Sequence, residues 1–357
     1  MLSIRRIIAG AAGTMVGLMG VGVAIGYINA MLATAPSLGT LARLSGTPQL
    51  AAAPTGPHWW ESLTRQSEQL LAEVETVAHG GILRVSPRDR KQLQNHFAAL
   101  DYALPGAGGR PEKLHDVPRL YLRSLPHDLA SGDSSLERKG DFVKVMLPLV
   151  LAGNEKILAD RQRIEKFARQ VQGGGGLYAV NKAWLVQMAA EYGLAGFDPA
   201  TGDWEELLRR VDAVPPSLAL AQAALESGWG TSRFARQGNA VFGQWSWKPG
   251  SGLVPAGRAA DAGHEVRRFG QLSESVGAYL HNLNTHAYYA KFRARRADAR
   301  EAGKTATGVE LVKYLGRYST EGSKYIDEVR GIIEKNLLQE MDAARLRPAS
   351  AALLTSS

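Results

Sequence analysis

A chain of 357 residues with 42 Lys and Arg against 34 Asp and Glu carries a formal charge of +8 and a pI near 9.6. An apolar share of 45% and a charged share of 21% are those of a folded protein, with room for two small domains. No cysteine is present, which excludes disulfides and thiolate metal sites. From Glu226 to Arg330 there are 16 Lys and Arg against 10 Asp and Glu, so +6 of the +8 lies there. Such a surface favours an acidic partner: a cell-wall polymer, anionic lipid or nucleic acid.

Arg5-Arg6 precede an uncharged run from Ile7 to Leu32. At about 1.5 Å per residue it is long enough to span a hydrocarbon core of about 30 Å with tilt. Arginines before it and none until Arg43 predict an N-terminus in the cytoplasm and a body outside it. Ala33-Thr34-Ala35 fits a signal-peptide cleavage site, but the run exceeds the usual signal core of about 7–15 residues. An uncleaved anchor is therefore preferred over a removed signal peptide.

The Ala, Pro, Gly, Ser and Thr that follow, to about Pro57, read as a linker, and Trp59-Trp60 opens a helical pattern. From about Ser62 to Gln172 the chain reads as mostly helical. Phe142 to Gln172 forms a long amphipathic segment with a kink expected at Pro148. Gly173 to Gly176 lacks the preceding strand and the Lys-Ser/Thr of a phosphate loop and reads as a joint. Two amphipathic helices, Tyr178 to Gly193 and Trp204 to Val211, lead to Pro215, with Trp184 and Trp204 in the core.

The stretch Pro215 to Trp247 organises the rest. Pro215-Pro216 suit a helix start, Leu218, Ala221, Ala224 and Leu225 fall at helical spacing, and Gly228 and Gly230 end the helix. Glu226 thus sits in the last turn, at the negative end of the helix dipole, beside Trp229. A carboxyl there should titrate high, as a general acid must. The structural alternative pairs Glu226 with Arg233 or Arg236. Farther on, His264 to Phe269 predicts a short strand and Ser273 to His281 a helix. His281 and His286 lack zinc-helix spacing, so no metal site or cofactor is expected. Arg293, Arg295, Arg296 and Arg300 read as a solvated basic face, Thr305 to Leu338 as closing helices, and the tail as disordered.

The run Ala224-Leu225-Glu226-Ser227-Gly228-Trp229-Gly230, with Gly238-Asn239-Ala240-Val241-Phe242-Gly243-Gln244-Trp245, resembles the glucosaminidase family (glycoside hydrolase family 73), particularly its Bax-type members. Tyr318-Ser319-Thr320-Glu321 with Tyr325 is similar to that family's Y-A-T-D…Y motif, and Val117 to Arg161 resembles the Bax-type upstream region. The resemblance implies a mainly α fold: a lysozyme-like α+β domain with a small β-rich lobe, behind a helical N-terminal region and a single membrane anchor. The segments are then 1–36 anchor, 37–57 linker, 58–172 N-terminal region, 177–345 glucosaminidase domain and 346–357 tail.

It also implies hydrolysis of peptidoglycan after N-acetylglucosamine, with Glu226 as proton donor and Tyr318 as its catalytic companion. Ser227, Trp229, Asn239, Phe242, Gly243 and Tyr325 would contact substrate. The family's second carboxylate has no clear match; Asp261 and Glu265 are the candidates, and the substrate's own 2-acetamido group is the alternative nucleophile. The implied partners are glycan strands and the inner membrane, not nucleic acid, with the catalytic domain in the periplasm. A lytic transglycosylase, or an anchored wall-binding protein without activity, are the rival readings.

Overall fold

The computed structural model describes residues 82–104, 117–131, 134–246, 248–255 and 263–348. The uncharged run, the linker, Trp59-Trp60, Trp247, Asp261 and the tail lie outside them. The chain divides into two compact units, 1–74 with 95–101, and 75–94 with 102–357. Apart from residues 95–99 at the end of the first helix, everything below concerns the second.

Strand β1 (Leu83–Val85), helix α1 (Arg90–Ala99) and strand β2 (Leu120–Leu122) come first. β1 and β2 pair in parallel, Leu83 opposite Leu120 and Val85 opposite Leu122, and bury those four side chains. The segment was expected to be mostly helical, and this strand pair was not anticipated in it. Helix α2 (Ser135–Gln172) is N-capped by Ser134, whose hydroxyl accepts the Glu137 N–H at 3.1 Å. Pro148 lies inside this one continuous helix, within a run from Val145 to Leu151 that is buried throughout. Burial of that run, at roughly 25 cal/mol per Å² of apolar surface, offsets the helix bond that proline removes.

Helices α3 (Ala179–Glu191), α4 (Trp204–Arg210) and α5 (Pro216–Ser227) follow. Trp204 is buried edge-on to Phe197, whereas Trp184 lies edge-on to Phe167 beneath the Arg163 guanidinium. Helix α5 is the centre of the unit: every residue from Pro216 to Ala224 is buried. Its polar start is met by Asp342, which accepts the Ser217 N–H and hydroxyl, both at 2.8 Å. A buried helix end needs such partners.

Beyond α5 come α6 (Arg233–Gly238), strands β3 (Trp245–Ser246), β4 (Gly252–Leu253) and β5 (Glu265–Arg267), then α7 (Leu272–Thr285), α8 (Ala290–Glu301), α9 (Gly308–Leu311) and α10 (Ser323–Lys335). The strands form an antiparallel sheet in the order β3-β5-β4. Helix α5 packs against α2, α9 and α10. The basic face expected on α8 is largely internal. Arg293 and Arg296 are buried, and Arg296 and Arg300 converge on Asp212, 1% exposed, with Arg161 of α2 on the same carboxylate at 3.6 Å. A buried carboxylate among guanidiniums is costly to unpair, which ties α2, α4 and α8 together.

Candidate active site

Helix α5 stops abruptly one residue after Glu226. The Gly228 N–H bonds Leu225 O at 3.3 Å and the Trp229 N–H bonds Ala224 O at 2.8 Å. Gly228, Trp229 and Gly230 all take positive φ, at 58°, 59° and 78°. A tryptophan in that region is uncommon and must be held by its surroundings. Ser227 holds the turn from inside: fully buried, its hydroxyl donates to Ala223 O at 2.5 Å and accepts the Gly230 N–H at 2.8 Å. Ser227 is therefore a fastener of the turn rather than a substrate contact, and this corrects its expected role.

Glu226 is half-buried at this end, and burial pushes its carboxyl above the ordinary 4.5, with the Tyr325 hydroxyl bond pulling the other way. Tyr325 belongs to an ordered relay. The Tyr279 hydroxyl donates to Gln222 Oε1 at 2.7 Å, and Gln222 Nε2 donates to the Tyr325 oxygen at 2.7 Å. The Tyr325 proton is thereby left to donate to Glu226, with which it is hydrogen-bonded. Neither Arg233 nor Arg236 takes part: Arg233 donates to Val254 O, and the groups that act on Glu226 are burial and Tyr325.

Four tyrosines surround the acid. Tyr318 stacks on Tyr325 at 5.5 Å and lies near Tyr279 and Tyr289, at 6.5 and 6.3 Å between ring centres. All four phenols are pushed up, chiefly by burial, Tyr289 to about 12. They are neutral donors and acceptors at any ordinary pH. Gln222, Tyr279 and Tyr289 escaped the sequence reading. Gln222 lies one turn before Glu226, at the i, i+4 spacing that shares a face, which was the available signal.

The opposite wall is the Phe242-Gly243 turn. A side chain on Gly243, whose φ is 63°, would place its Cβ 2.9 Å from Glu226 Oε2, so only glycine lets the backbone pass this close. Phe242 is 1% exposed and stacks on Tyr279 at 4.0 Å, and its carbonyl accepts the Tyr318 hydroxyl at 3.0 Å. Phe242 is a floor beneath the cleft, not a sugar contact. Asn239, buried at φ 52°, caps α6 and donates to Phe269 O at 3.2 Å, so it too shapes the backbone. Tyr325, 3% exposed, faces Glu226 and Gln222 rather than solvent.

Glu265 is buried in the sheet and accepts the Gly250 and Gly252 N–H groups, one on each oxygen, at 3.0 and 2.8 Å. Both oxygens secure the β4 turn, a structural task in place of the second-carboxylate role. Trp229 keeps access to solvent: half-buried, it lies edge-on to Phe142, with the Lys139 ammonium 5.0 Å from its ring. It borders a groove of about 650 Å³ with Lys139, Leu225 and one face of α10, which flanks Glu226 without including it. Among the described residues no group of three or more His, Asp and Glu is placed to hold a metal ion.

A half-buried carboxyl of raised pKa, hydrogen-bonded to a phenol and faced by a glycine turn, is suited to giving up a proton to an oxygen brought beside it. The chain belongs to the glucosaminidase family, a class of glycosidases. The family model described as mannosyl-glycoprotein endo-beta-N-acetylglucosaminidase matches residues 202–338. Among curated relatives, Protein bax of Escherichia coli (strain K12) is 34% identical over 227 residues, 62% of this chain and 77% of that protein. No solved structure matches the chain significantly.

Proposed function

We propose that this protein hydrolyses peptidoglycan at the glycosidic bond after N-acetylglucosamine, with Glu226 as general acid. The observation that carries this reading is the placement of Glu226, raised by burial and held between Tyr325 and Gly243. We read the glutamate helix facing a small sheet as a lysozyme-like arrangement.

In the first step Glu226 gives its proton to the leaving oxygen while the carbonyl oxygen of the substrate's acetamido group bonds to the anomeric carbon. In the second, water opens that ring and Glu226 takes the water's proton, which restores the acid. The Tyr325 hydroxyl stabilises the intervening carboxylate. The Tyr318 proton is committed to Phe242 O, so its lone pairs are left to accept the acetamido N–H and turn the carbonyl towards the reacting carbon. Tyr318→Phe should lower turnover by about 10-fold or more, the scale of one hydrogen bond of 1–2 kcal/mol. Glu265→Gln should spare turnover by comparison. Equal turnover in parent and Tyr318→Phe would remove that role.

The test of the reaction is mass spectrometry of fragments released from purified sacculi. Reducing N-acetylglucosamine ends support hydrolysis; anhydro-muramic ends mean a transglycosylase, which also needs one glutamate. No release at all would leave an anchored wall-binding protein.

From Arg5-Arg6 and the uncharged run to Leu32, we place the body outside the cytoplasm, on the inner membrane or released after signal cleavage. Among the described residues no helix is long and apolar enough to cross a membrane, so this proposal rests on residues beyond them. A reporter fused after Pro57 should work only if it is active outside the cytoplasm. Cytoplasmic reporter activity would remove both the topology and access to the wall.

A further inference from the structure

We propose that Trp245 is a sugar-binding platform of the cleft, one that stacks on an N-acetylhexosamine ring beside the one being cut. Trp245 is 57% exposed, the only tryptophan so exposed among the described residues. It stands two residues after Gly243, whose Cα therefore lies within about 7 Å of its own by chain geometry. Gly243 is the residue at which an added Cβ would come 2.9 Å from Glu226 Oε2.

The indole is also built to stay flat. Trp245 pairs with Val266 across β3 and β5, which puts His264 at the diagonal position on the same face of the sheet. The His264 ring backs the indole at 4.1 Å with planes only 12° apart. One face of the indole is thus supported by the imidazole. With the imidazole in place the residue still exposes more than half of its surface to solvent. A rigid aromatic face matches the axial C–H groups of a pyranose, which bury apolar surface against it. The sheet register, rather than the flexible tip of a loop, sets the height of this platform.

The ligand class follows from position. A ring stacked here is held a short distance from Glu226, along the strand direction of β3, so it belongs to the same glycan chain as the reacting sugar. The proposal rests on the glycosidase reading and deepens it, because it assigns a neighbouring subsite.

The experiment uses the full chain carrying Glu226→Gln, which binds without turnover, titrated with the β-1,4-linked N-acetylglucosamine tetramer and followed by tryptophan fluorescence and calorimetry. Adding Trp245→Ala should weaken binding by about tenfold or more and abolish most of the fluorescence change, whereas Trp245→Phe should stay within about threefold. Thermal melts of the variants should coincide with the parent's, since the ring is exposed. Unchanged binding by Trp245→Ala, or no binding of the tetramer before that change is made, overturns the platform. Sacculus digestion by the otherwise unaltered chain is measured alongside. Digestion with unchanged Trp245→Ala kinetics sinks the platform alone; tetramer binding through Trp245 without digestion sinks the hydrolase reading alone.

Discussion

Glu226→Gln should lower sacculus digestion by about 10²–10⁴-fold, the usual contribution of general acid–base catalysis. The amide keeps the shape of the side chain and can still accept the Tyr325 hydroxyl, so the loss reports the missing proton. Stability should move the other way. The Glu226 carboxyl titrates above the ordinary 4.5 in the fold, which means that the protonated form is the one the fold favours. Its contribution is fully present below about pH 4.5, the unfolded value, and is lost as pH rises through the raised one. Glutamine cannot ionise and escapes that loss. Melting curves should therefore show Glu226→Gln more stable than the parent at neutral pH and indistinguishable from it in acid. The parent's own activity should decline on the alkaline side as the acid loses its proton. A variant that melts early yet keeps its specific activity would make Glu226 a packing residue.

Gly243→Ala should lower turnover steeply through a single added methyl group. It forces an L side chain into the left-handed region, at about 1–2 kcal/mol, and drives its Cβ to 2.9 Å from Glu226 Oε2. Either the turn or the carboxylate must move. A displacement of about 1 Å at the reacting group can cost 10²-fold in rate, so turnover should fall on that order with only the modest loss of stability just given. Steady-state kinetics beside chemical denaturation separates the two effects. Parent-like kinetics in this variant would mean that the turn moves freely and does not position the acid.

Much of this site was legible in the chain. The helix expected from Pro215 to the Gly228 stop is observed as Pro216–Ser227, because proline and glycine mark its ends by backbone sterics alone. The strand and helix expected after His264 are observed as Glu265–Arg267 and Leu272–Thr285. The parallel pair β1-β2 was not legible, since three-residue strands carry too little alternation and their partners lie far apart in sequence. Ser227, Asn239 and Phe242 were expected to contact substrate; in the fold all three are buried, Ser227 fastening the turn after the acid, Asn239 capping α6 and Phe242 lying beneath the opposite wall. Arg293, Arg296 and Arg300 do share one helix face, but nothing local reveals that the face meets Asp212 instead of water.

The turn after Glu226 rests on a ledge that precedes residue 202. A side chain at Gly230 would meet Leu125 at 2.8 Å and Phe142 at 3.0 Å, and Phe142 also props the ring of Trp229. The stretch matched by the family model, 202–338, thus begins and ends inside the compact unit that contains it. Transplanting only that stretch into another carrier would deliver the acid without its footing. A useful graft would need to begin no later than the β2 strand, taking the long helix with it as foundation.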